Sequence, residues 1–199
     1  MDFDRTPRPG LFTTIVVLGE LAAIPLAFFI AWLWPDVGLQ RIEWSRDGLV
    51  LGLLGAIPPG VFALWILSPA GRKLPFVGRI TSMLRELAGA TFQALSPVQM
   101  VLIAAAAGFG EEILFRGALQ PHLGIFITSL LFGLLHPFTL TYAILVVLMG
   151  AYLGWLAEHG QGLLAPIVTH AVYNFIALSL IRREMQRMDE PPERAEANG

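Results

Sequence analysis

Val98–Gln120 reads VQMVLIAAAAGFGEEILFRGALQ. A helix needs about 20 apolar residues to cross the hydrocarbon core of a bilayer, and this stretch is long enough. It also carries Glu111, Glu112 and Arg116. Ionisable groups at membrane depth are costly, so they face a cavity or a partner. The stretch therefore announces both a membrane helix and a reason for one.

The rest of the chain agrees. Of 199 residues, 55% are hydrophobic and 14% charged, with mean hydropathy +0.66. A soluble domain carries about a quarter charged residues. Net charge is −2, which leaves no basic footprint for nucleic acid. The chain has no Cys, so thiol catalysis, thiolate metal sites and disulfides all drop out. Arg outnumbers Lys twelve to one, as in proteins of GC-rich bacteria. The fold class expected is all-α: a polytopic transmembrane helix bundle of about six spans plus an interfacial amphipathic helix.

The spans expected are Leu11–Trp34, Leu49–Ser68, Val98–Gln120, Leu123–His136, Phe138–Ala157 and Leu163–Ile181. The first is too long for a signal-peptide core of roughly 7–15 residues. It reads as a retained helix with Trp32 and Trp34 in the interfacial belt. Pro58-Pro59-Gly60 should bend the second. The fourth is short, so it is tilted at a thin site or begins inside the protein. In Ile80–Leu95, Ile80, Met83, Leu84, Leu87 and Leu95 fall near helical spacing, opposite Arg85, Glu86 and Gln93. That pattern fits a helix lying in the interface; the alternative is an extra, poorly inserted span. The organisation expected is an N-terminal transmembrane pair and linker helix over 1–96, a helical core over 97–182, and a cytoplasmic tail over 183–199, disordered beyond its first turn or two. With six crossings and a cytoplasmic N-terminus, ten Lys and Arg lie inside and only Arg41 and Arg46 outside. That bias predicts both termini in the cytoplasm.

Few polar residues lie within the spans. Glu112 and Arg116 are four apart on one helix face and can pair. Glu111 is turned about 100° away and has no such local partner. A free carboxylate in a low-dielectric site is what general acid–base chemistry uses; the bland alternative is a helix end with its charges solvated. His136 precedes Pro137, which should end its helix, with Phe132 one turn back on the same face. Alone it reads as an interfacial histidine. His170 and Asn174 share a face of the sixth span. They are either donors for an oxyanion or an interhelical hydrogen bond holding the bundle together, and these two residues alone do not choose. Together the residues supply one free carboxylate, two imidazoles and an amide, without a Ser-His-Asp or Cys-His arrangement. The matching reaction class is attack of an activated water on a carbonyl.

Glu111-Glu112-x-x-x-Arg116, Phe132-x-x-x-His136 and His170-x-x-x-Asn174 resemble the three motifs of the CPBP intramembrane proteases. These are the type II CAAX prenyl endopeptidases and their bacteriocin-processing relatives, often labelled Abi. The resemblance covers Val98 to Ile181. It implies a glutamate-dependent endopeptidase with an all-helical core and a membrane-anchored protein or peptide as substrate: a CAAX-type peptide, a leader or a C-terminal sorting signal. It implies that Glu111 and His136 activate the water, that His170 and Asn174 stabilise the oxyanion, and that Glu112 and Arg116 organise the site. No cofactor is expected. Zinc on Glu111, His136 and His170 is the minority alternative, weakened by the lack of a His-Glu-x-x-His helix. The implied location is the bacterial inner membrane.

Two other classes fit part of the pattern. One is a non-catalytic immunity or partner-binding membrane protein that keeps the scaffold. The other is a small proton-coupled transporter, for which Glu20, five residues before Pro25, is the pointer. Glu20 is otherwise expected to pair with Arg116 or a hydroxyl, or to face the site.

Overall fold

A computed structural model describes residues 8–35, 39–136, 139–160 and 162–189, except for the side chains of residues 84, 87 and 88. Pro137, Phe138 and most of the expected tail, residues 190–199, lie outside the described residues. Among those described, the chain is helical with no strand: α1 Pro9–Leu21, α2 Ala23–Leu33, α3 Arg46–Gly55, α4 Ile57–Ile66, α5 Pro75–Ala94, α6 Pro97–Glu112, a π-helical turn Ile113–Leu119, α7 Gln120–Leu134, α8 Leu140–His159 and α9 Leu164–Asp189.

Prolines divide the first two expected spans. Pro25 has no N–H for the Leu21 carbonyl, and the apolar run Pro9–Leu33 steps at Ala22 between α1 and α2. Pro59 likewise withholds an N–H from the Gly55 carbonyl, where α3 gives way to α4. That carbonyl accepts the Tyr152 hydroxyl from α8 at 2.9 Å. In lipid a freed backbone group needs such an internal partner. The bend expected at Pro58-Pro59-Gly60 falls at this break, and α3–α4 together are long and apolar enough to span, as Arg46–Ile66.

The third and fourth expected segments join in one helical stretch, Pro97–Leu134, of 38 residues. A straight helix of that length would be roughly 57 Å long, at about 1.5 Å per residue. Yet the rings of Phe115 and Phe132 meet edge to face, 4.9 Å between centroids. The chain turns back at Gly124, whose φ of 73° and ψ of 168° lie where a Cβ is poorly tolerated. The returning arm after Gly124 is about 15 Å long, half a bilayer core. The short fourth segment is thus a half-length helix that folds back on the preceding arm and is too short to cross a bilayer core by itself. Five helices are long and apolar enough to cross a membrane, this stretch being one of them.

α5 is 20 residues long and is not among those five. It docks on the end of α9: Arg85 and Gln93 both bond Asp189, and Arg182 donates to the Gln93 carbonyl at 3.2 Å. α9 runs past the apolar segment through Asp189, so residues 183–189 of the expected tail are its last two turns. Phe12 of α1 packs edge to face on Phe92 of α5, which brings the start of α1 and the end of α9 to the same end of the bundle. At the opposite end, Trp34 lies against His122.

Candidate active site

Glu111 stands midway along the arm from Pro97 to the Gly124 turn, roughly 20 Å from either end. α6 starts cleanly because Ser96 and Gln99 form a reciprocal capping box, which fixes where Glu111 falls. α9 runs against α6 at Gly108 and Ala171 and brings His170 to the two glutamates. The half-helix of α7 brings His136: its last turn closes through the His136 N–H to the Gly133 carbonyl.

The two glutamates face different partners. Glu112 is fully buried. Its Oε1 accepts Arg116 Nη1 at 3.1 Å and lies 2.7 Å from His170 Nδ1. Arg116, also fully buried, donates Nη2 to the Gly150 carbonyl of α8 at 2.8 Å. Its guanidinium sits over the Phe132 ring at 4.5 Å and near Phe115 at 5.8 Å, where cation–π attraction adds to the pairing. One Arg thus ties the π-helical turn, α7 and α8 together.

Glu111 points the other way, between two imidazoles. Its Oε1 is 3.6 Å from His136 Nε2 and its Oε2 is 3.7 Å from His170 Nε2. The other ring nitrogen of each histidine is engaged. His136 Nδ1 lies 2.7 Å from the Phe132 carbonyl, an acceptor only, so Nδ1 carries a proton. Neutral His136 then presents a basic Nε2 to Glu111. His170 Nδ1 likewise donates to the Glu112 carboxylate, a pairing that fixes ring orientation and tautomer.

The site opens on one side. The His136 side chain is 25% exposed, that of Glu111 13% and that of His170 6%. Leu134 and Leu135, beside His136, are largely exposed. Asn174 is half-buried one turn beyond His170 on α9, and among the described residues it makes no hydrogen bond to Glu111, Glu112, His136 or His170. Glu20 of α1 reaches the site: its backbone closes on Gly110, and its carboxyl lies within electrostatic range of Glu111, His136 and His170. Of the partners expected for Glu20, the structure gives the site wall. A cavity of about 460 Å³ between Leu39–Glu43 and Glu158 has none of these residues in its lining.

Two contributors lack a sequence signal, and a third carries only part of one. The Gly150 carbonyl could not be singled out, since any backbone group can accept. The π-helical turn has no composition cue, although such turns gather at functional sites. Glu20 stood out as an ionisable residue in a span, but nothing in its spacing names Glu111.

These features define a class: an all-helical membrane protein with a carboxylate between two histidines midway along an apolar helical arm, braced by a buried Glu–Arg pair. More particularly, residues 93–176 match the family described as Type II CAAX prenyl endopeptidase Rce1-like, the family that the three motifs resemble. Glu111, Glu112, Arg116, His136, His170 and Asn174 all fall within the matched range; Glu20 does not. The chain is also similar to a Bacillus subtilis (strain 168) protein named as the uncharacterized protein YpbD, with 35% identity over 92 residues, covering 45% of this chain and 49% of that protein. The chain therefore spans about half the length of the curated relative it matches. No solved structure matches it.

Proposed function

We propose that this protein is an intramembrane endopeptidase that hydrolyses a peptide bond of a membrane-anchored protein or peptide with a glutamate-activated water. The observation that carries this is the convergence of His136 Nε2 and His170 Nε2 on the Glu111 carboxylate. A water held between Glu111 and His136 gives up one proton to that pair as its oxygen attacks the scissile carbonyl carbon. His170, as an imidazolium held by Glu112, keeps its Nδ1–H on the carboxylate and offers Nε2–H to the oxyanion. The Asn174 amide is the second donor. Collapse of the tetrahedral intermediate breaks the C–N bond, and the proton taken from water passes to the leaving amine. Donors set in advance toward developing charge lower the barrier of such reactions more than any other single effect.

Glu112 and Arg116 orient His170 and do not touch the substrate. No cofactor takes part. The opening beside His136, flanked by exposed Leu134 and Leu135, favours a substrate that arrives from the lipid: a CAAX-type peptide, a leader or a C-terminal sorting signal. The Lys and Arg distribution favours a bacterial inner-membrane protein with both termini in the cytoplasm.

The test is cleavage by the purified protein in lipid of a quenched-fluorescent peptide with a farnesylated CAAX end, and of single-span reporters with C-terminal anchor signals. Products are identified by mass spectrometry. A defined cut lost in His136→Ala, with the variant still present in membranes, is expected. An undiminished cut in that variant would overturn the mechanism.

A further inference from the structure

We propose that Glu20 is a positioning residue for the reaction. Its carboxyl donates a hydrogen bond to Glu111 and holds that carboxylate between the two histidines. The inference rests on the protease reading above and deepens it.

The backbone places Glu20 at the site. α1 approaches α6 at Gly110 so closely that a Cβ there would stand 2.1 Å from the Glu20 carbonyl oxygen. Only glycine permits that approach. It sets Glu20 beside Glu111, the residue that follows Gly110. The carboxyl chemistry then assigns the donor. That approach, two residues of adjacent helices in backbone contact, leaves the Glu20 and Glu111 carboxyls as neighbours in the same apolar surroundings, and of two neighbouring carboxyls only a protonated one can donate. One shared proton is the arrangement of paired-carboxyl sites. Glu111 faces an imidazole with each of its oxygens, so the outer carboxyl, Glu20, is the member that can spare a donor.

Glu20 also has no other role within its own helix. Pro9–Leu21 contains no Lys, Arg or His. The charged and titratable groups that Glu20 faces are Glu111 of α6, His136 after α7 and His170 of α9, all members of the site. A carboxyl placed solely to hold helices together has no need of those three.

The experiment measures kcat and KM for the farnesylated quenched-fluorescent peptide with the full chain in lipid, alongside thermal stability. Glu20→Leu keeps the bulk and removes the donor. Its kcat should fall about tenfold or more, the effect of one charge-assisted hydrogen bond, with KM moving less than about twofold. Glu20→Gln keeps a donor of the same reach and should recover most of the rate. Glu20→Asp keeps the acid but shortens its reach, and should fall below Glu20→Gln. A purely structural role would lower thermal stability and leave the kcat of the folded protein alone. Wild-type kcat in Glu20→Leu beside an inactive Glu111→Ala would overturn the inference and leave the protease reading standing. So would Glu20→Asp outperforming Glu20→Gln. Full activity in Glu111→Ala would remove the protease reading itself.

Discussion

His170 and Glu112, 58 residues apart in sequence, are joined by a 2.7 Å contact between Nδ1 and Oε1, and that same oxygen accepts Arg116 Nη1 at 3.1 Å. The glutamate that pairs with Arg116 therefore also orients a histidine facing the other glutamate. Structure and chemistry meet in one buried carboxylate.

Neutralising Arg116 tests the structural half of that arrangement. Arg116→Met strands Glu112 as a buried, half-satisfied charge and releases the Gly150 carbonyl. Breaking a buried pair by removing one partner costs about 3–5 kcal/mol. The variant should accumulate poorly and denature at a lower temperature, losing protein and activity together. Membrane immunoblots and a thermal-aggregation curve give the answer. Wild-type stability would show that the pair does not hold the bundle.

Asn174→Ala should behave in the opposite way. No hydrogen bond to the four site residues depends on Asn174, so the fold loses little. As an oxyanion donor it acts only in the transition state, and removal of one such donor lowers kcat about 10²- to 10³-fold. Steady-state kinetics with unchanged thermal stability is the expected pair of results. A loss of stability with kcat intact would make Asn174 an interhelical tie.

Much of this was legible in the sequence, and the reasons are local. A span needs only apolar length, and Glu112 pairs with Arg116 because four residues make about one turn. What sequence left open depends on contacts between distant segments. That Glu112 also binds His170 follows from α6 packing on α9. That Glu20 meets Glu111 follows from the close approach at Gly110. Leu123–His136 was visibly short, but that it folds back on the preceding arm is shown only by the left-handed Gly124 and the Phe115–Phe132 contact. The one-turn spacing of His170 and Asn174 puts them on one face of α9, but that His170 is held there by Glu112 is visible only in the folded chain.

Chelation separates the water mechanism from its zinc alternative. Among the described residues, no group of three or more His, Cys, Asp or Glu is disposed to hold a metal ion; the engaged Nδ1 atoms of His136 and His170 leave both Nε2 atoms free, so the question is one for experiment. Treatment with EDTA or phenanthroline should leave the rate within about twofold, and elemental analysis should find no stoichiometric metal. Zinc at one per chain, lost together with activity and restored with it, would transfer the role of the base to a metal-bound water.

Everything proposed for the reaction turns on Glu111 as the base. The most direct measurement is the single-turnover rate of Glu111→Gln, which keeps the shape and hydrogen-bonding reach of the side chain and removes its capacity to take a proton. With saturating farnesylated peptide and the variant's fold verified by its thermal transition, the cleavage rate should lie at least about 10³-fold below wild type with peptide binding retained. A rate within a few-fold of wild type would contradict the assignment of Glu111 as base.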